Sequence, residues 1–187
     1  MYNNIPKTSK PGANVMTQYS NRMVIIHWLT LVLLIAAWFI GHELDKARHE
    51  AGAPLIGYVA HALAGAAVLL LAVARLYFRR KDGTPPPMGD TPMDKLAKAI
   101  QHSIYAVLIL LSASGALTLG TSGVCDALKA WDASLLPKKF SGIFAHNIHE
   151  MLVTVLIVLV IIHVLGAIKH QFIIKDGLMK RMSLHKK

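Results

Sequence analysis

Four stretches of this chain contain no Asp, Glu, Lys or Arg: residues 23–42, 51–74, 99–125 and 151–168, which are 20, 24, 27 and 18 residues long. A helix needs about 20 residues to cross a hydrocarbon core. Within that core every backbone N–H and C=O must find its partner inside the protein, so helices or closed barrels are the only spanning forms. Four such stretches in 187 residues point to an all-α, four-helix transmembrane bundle. The composition agrees, with 54% hydrophobic and 16% charged residues against about a quarter charged in soluble domains. The first stretch is too long for the apolar part of a cleaved leader, begins only after residue 22 and lacks a small-x-small cleavage site, so it is expected to stay as a span.

With four spans the N-terminus, the middle loop and the C-terminus share one side. That side carries 15 of the 20 Lys and Arg residues, and the other holds only Lys46, Arg48, Lys129, Lys138 and Lys139. The positive-inside bias then places both termini in the cytoplasm. The net charge of +10 is thereby explained by topology, and no nucleic-acid partner is expected. The organisation reads as a polar tail over residues 1–18, a membrane domain over 19–182 and a basic tail over 183–187. Spans are expected at about 23–42, 55–78, 99–119 and 145–168. Thr84-Pro85-Pro86-Pro87 cannot be helical and reads as a stiff connector. In the long outer loop, Val124, Leu128, Trp131 and Leu135 recur at helical spacing, which predicts a short amphipathic helix on the outer surface. Trp28 and Trp38 read as packing or interface residues. Cys125 is the single cysteine, so no intramolecular disulfide is possible; it is expected beneath the outer helix.

Ten histidines are many for such a chain, and ionisable side chains inside a membrane usually face the bundle interior and have a task. His27 lies near the inner end of span one and His61 near the outer end of span two. On span four His149 is near the outer end and His163 lies deeper. The 14-residue interval from His149 to His163 corresponds to about 21 Å of helix and falls about 40° short of four full turns. Both rings therefore leave one helix face at two depths, where His61 matches His149 and His27 matches His163. Two stacked imidazole pairs suit two b haems, whose irons each take two axial nitrogens from opposite sides and whose sites helix bundles build from facing side chains. Gly65, one turn from His61 on the same face, would admit a flat macrocycle. Arg75, 14 residues after His61, lies on that face at the inner depth, where it can pair with a haem propionate or snorkel to the interface.

Other readings compete. Any one of these histidines taken singly could be a hydrogen-bonded structural residue, and a haem-free channel with structural histidines is a further alternative. A metal-transport path would want carboxylates or thiolates beside the histidines, and none lies mid-span. Zinc needs four converging ligands, whereas these residues separate into pairs. His102 and His170, at the inner boundary, can hydrogen-bond a quinone carbonyl or a propionate, or simply face water. His42, His49, His146 and His185 read as solvated.

The segments Tyr19-Ser20, Ile26-His27-Trp28-Leu29, Val73-Ala74-Arg75-Leu76, Ile148-His149-Glu150 and Lys169-His170 with Lys175-Asp176 resemble, in order and spacing, the bacterial cytochrome b561 family over residues 19–182. The resemblance implies a dihaem cytochrome of the bacterial inner membrane. His27 and His163 would hold the cytoplasmic-side haem, and His61 and His149 the periplasmic-side one. It further implies electron exchange with ubiquinone near the cytoplasmic haem, where His170 matches a family histidine. In one branch of the family the chain itself oxidises superoxide at the periplasmic face, making it a superoxide:ubiquinone oxidoreductase. The donor would be superoxide or a periplasmic protein. The alternative is a non-catalytic haem-b anchor subunit relaying electrons for a docked partner. The outer side here carries five basic and six acidic residues, a net of 5 − 6 = −1, although Lys138 and Lys139 could make a local positive entrance for an anion.

Overall fold

The computed structural model describes residues 17–49, 54–137 and 139–184. Most of the N-terminal tail, the last three residues and Lys138 therefore lie outside the described residues. The chain forms α1 (Asn21–His49), α2 (Leu55–Asp82), α3 (Pro92–Thr121), a short α4 (Val124–Ala130) and α5 (Phe144–Ile168). Beyond α5 the chain winds into a wider π turn, Lys169–Ile174, and then a 3-10 turn, Leu178–Met182. The helices α1, α2, α3 and α5 with its π turn are long and apolar enough to cross a membrane, and this is a multi-pass membrane protein.

The long helices overrun the charge-free stretches at their ends. α2 ends in Arg79, Arg80 and Lys81, cations that favour a helix C-terminus. α3 starts at Pro92 rather than near residue 99. Thr91 accepts a hydrogen bond from the Asp94 N–H, and the Asp94 side chain accepts one from the Thr91 N–H. This capping box satisfies two N-terminal donors, and proline fits the first helical position.

The bundle is two helix pairs, α1 with α2 and α3 with α5, joined through α2 against α3. Val68 and Ala72 of α2, Val107 and Leu108 of α3, and Leu152 and Leu156 of α5 make the buried core. On α2 this apolar layer lies between His61 and Arg75, and on α5 between His149 and His163, so it separates the two histidine depths.

At the end carrying the chain termini, hereafter the terminal end, the 3-10 turn stitches three segments together. The Arg181 carbonyl accepts the Tyr19 N–H at 3.1 Å, the Met182 carbonyl accepts the Trp28 indole N–H at 3.3 Å, and the Arg181 guanidinium donates to the Pro86 carbonyl at 2.6 Å. The non-helical proline connector is thus tied down. Nearby, Arg22 and Ser20 both bond Asp82, fixing the start of α1 to the end of α2.

At the far end the structure departs from the expected amphipathic helix. α4 stops at Ala130 because Trp131 adopts a left-handed conformation at φ 52°, closing the helix onto Ala127 and Leu128. Val124 and Ala127 are buried, but Trp131 and Leu135 are exposed. The four residues therefore do not share one apolar face. Cys125 is half-buried rather than enclosed. The loop is anchored instead by Phe140, which is 5% exposed, stacked on Tyr58 and packed on His146.

Because Ala72 is 2% exposed at the centre of the core, Ala72→Leu overpacks it and is expected to cost about 1–3 kcal/mol. Denaturant unfolding of the detergent-solubilised protein should show the loss, while Ala66→Leu at an exposed α2 position should leave stability unchanged.

Candidate functional site

Histidines from three helices meet in two pairs. His61 of α2 faces His149 of α5 with ring centroids 6.1 Å apart and planes at 74°. His27 of α1 faces His163 of α5 at 6.4 Å and 72°. The straight α5 helix between His149 and His163 separates the pairs by about 21 Å. α5 leans on α3 and makes little backbone contact with α1 or α2, so the rings face one another across a gap between the helix pairs.

The far-side rings are held by their own surroundings. The Nδ1–H of His61 donates to the Ala37 carbonyl of α1 at 3.0 Å. The Nδ1–H of His149 is shared between the Leu111 carbonyl at 3.1 Å and the Ser114 hydroxyl at 3.2 Å, both on α3. Each contact fixes the tautomer and leaves Nε2 as the nitrogen with a lone pair. Both rings lie against a glycine. A Cβ on Gly41 would come within 3.0 Å of the His61 ring, and one on Gly115 within 3.1 Å of the His149 ring. Small residues at this depth of α1 and α3 are a signal that the sequence contains and that the histidine pattern alone did not bring out. At Gly65 a Cβ would meet nothing within 4 Å, so that face of α2 is open.

Arg75 is buried, at 9% exposure. It lies within electrostatic reach of Tyr105 of α3, Tyr19 and Arg79. Its charge also acts on both His27 and His163. The Arg75 Nε has no hydrogen-bond partner. The buried cation therefore stands beside the terminal-side pair rather than reaching the interface, and it retains a donor for an anionic oxygen.

His170 and His102 have different settings. The π turn rotates His170 away from a regular α5 face, and its Nδ1 meets the Asp176 carboxylate at 2.5 Å. Lys175, at φ 57°, makes the left-handed turn that brings Asp176 back. This contact, with the Leu178 N–H also donating to Asp176, holds the Asp176 carboxyl below the usual carboxylate range. His102 is exposed on α3 and bonds only the Lys98 carbonyl of its own helix, at 2.7 Å. His42 stacks flat on Trp38, and His146 lies 3.8 Å from Glu150.

Among the described residues no three histidine, cysteine or carboxylate side chains converge; the donors come in twos. Two metal–imidazole bonds of about 2 Å, plus a ring radius of about 1.1 Å on each side, put the centroids of two axial imidazoles roughly 6.2 Å apart. Separations of 6.1 and 6.4 Å fit one six-coordinate metal between each pair, as in a bis-histidine haem.

The chain is 26% identical to "Cytochrome b562" of Cereibacter sphaeroides over 179 residues, covering 94% of this chain and 97% of that one. It is 26% identical to "Cytochrome b561 homolog 2" of Escherichia coli over 174 residues, covering 90% and 93%. It is 27% identical to "Probable superoxide oxidase CybB" of Yersinia pestis over 175 residues, covering 88% and 95%. No solved structure matches the chain. Residues 18–183, nearly all of the membrane bundle, match the family described as prokaryotic cytochrome b561, and the chain belongs to that family.

Proposed function

We propose that the protein carries electrons across the bacterial inner membrane through two bis-histidine b haems, between a periplasmic donor and the ubiquinone pool. The observation that supports this most is the pairing of four imidazoles at two depths with separations suited to axial ligation. In this reading His27 and His163 hold one haem and His61 and His149 the other, and the haems supply one-electron chemistry at iron. The terminal end faces the cytoplasm, in keeping with its 15 basic residues. Arg75 offers its unpartnered Nε to a propionate. Gly65 leaves room for the macrocycle, while Gly41 and Gly115 leave room for the ligand rings themselves. The Ala37 and Leu111 carbonyls keep the far-side rings in the ligating tautomer.

In this reading ubiquinone binds at the terminal end, where Asp176 holds the Nδ1 of His170 and leaves Nε2 for a quinone oxygen. His102, bonded into its own helix, has the weaker geometry for that task. On the far face Lys46 pairs with Glu43 and Lys129 with Asp126, so neither of these two cations is free to steer an anion. Turnover of superoxide with ubiquinone by the isolated chain would make it an oxidoreductase in its own right. Two haems without that turnover would make it a relay for a protein donor.

A reduced-minus-oxidised visible spectrum with pyridine haemochrome should count two b haems per chain, and a haem-free purified protein would defeat the proposal. His61→Ala should remove one haem and His27→Ala the other, each leaving one. Gly115→Val, which drives a side chain into the His149 ring, should lose the far-side haem and keep the terminal-side one. His170→Ala should keep both haems and raise the ubiquinone KM by roughly tenfold, the equivalent of one hydrogen bond worth about 1.4 kcal/mol.

A further inference from the structure

Resting on that reading, we propose that the two sites are built at unequal potential. The terminal-side site at His27 and His163 is the higher, so an electron entering at the far side runs downhill toward the terminal side. With haem bound, the four histidines would hold two one-electron centres, and passing one electron from the far-side pair to the terminal-side pair would oxidise one centre and reduce the other, with no bond made or broken and no proton moved.

Two independent features of this chain set the asymmetry. The first is the ligand environment. Both far-side rings donate Nδ1–H to backbone carbonyls, at 3.0 Å to Ala37 and 3.1 Å to Leu111. Such donation raises the basicity of an imidazole ligand and so favours the more positive, ferric state. Among the described residues neither His27 nor His163 has a carbonyl acceptor of this kind. Backbone carbonyls are fixed by the helices, so the difference belongs to the fold and does not fluctuate with solvent.

The second feature is charge. Arg75 is the only buried charged residue among those described, and it acts on both terminal-side histidines. The groups acting on it are Tyr105, Tyr19 and Arg79, with no carboxylate among them. At low dielectric a nearby positive charge favours the centre that has gained an electron. A propionate paired with Arg75 would leave the terminal side one negative charge less exposed than the far side, where no buried cation stands. Carbonyl donors and cation push the two potentials apart in the same sense.

A redox titration followed in the visible spectrum tests this. The wild-type protein should give two one-electron waves, and the His61→Ala protein should keep only the higher. Arg75→Gln should lower the reduction equilibrium constant of the terminal-side site at least tenfold, which is about 59 mV for one electron, and move the far-side wave much less. Arg75→Lys, which keeps the charge, should retain most of the separation. Retention of only the lower wave in His61→Ala overturns the proposal. So does an unchanged separation in an Arg75→Gln protein that still counts two haems. Should Arg75→Gln fail to assemble, the wave kept by His61→Ala and the position of the Arg75→Lys wave decide. A wild-type protein with no haem would overturn the parent reading along with this one, and haem counting separates that result from the others.

Discussion

An imidazole in an apolar interior is costly unless its nitrogens are engaged, and α5 carries two of them, fourteen residues apart on nearly one face. The architecture around that helix follows from the need to satisfy those rings. His149 is locked to α3 by the Leu111 carbonyl and the Ser114 hydroxyl, and its partner His61 is locked to α1 by Ala37. Glycines stand where the rings press on neighbouring helices. α5 leans on α3 and leaves a gap toward α1 and α2, so the four rings look at one another across space and not through packed side chains.

The apolar layer between the two depths has a matching purpose. Val68, Ala72, Leu152 and Leu156 fill the interval with side chains that offer no polar group. The two histidine pairs thus lie on either side of an apolar layer and share one helix. Arg75 closes this layer at the terminal side. A buried guanidinium without a carboxylate partner among the described residues is expensive. The terminal end is further fastened by the C-terminal 3-10 turn, which ties the proline connector and the entry to α1 to one another. The helices carrying His27 and His163 are therefore fixed from both chain ends.

Much of this was legible in the residue pattern. Charge-free runs are a one-dimensional signal, because a membrane demands length and apolarity from each span independently. Depth and phase along one helix are also one-dimensional, which is why the spacing of His149 and His163 already implied two layers. The start of α3 was less well placed, since counting charges overlooks a capping box in which the charged Asp94 helps Thr91 to cap the helix. The expected face from Val124 to Leu135 failed for a similar reason. Periodicity cannot register a single residue such as Trp131 turning left-handed and ending the helix.

What the sequence determined by itself was the number of spans, the side on which the basic residues gather, and the depth of each histidine, because these depend only on distance along a helix. Which helix a ring leans on was decided by tertiary structure. The acceptors Ala37 and Leu111 and the space at Gly41 and Gly115 all join residues far apart in the chain. Carbonyls and glycines carry no chemical label in a sequence. Their role arises only when packing brings a second helix within about 3 Å, the range in which a hydrogen bond forms or a Cβ collides.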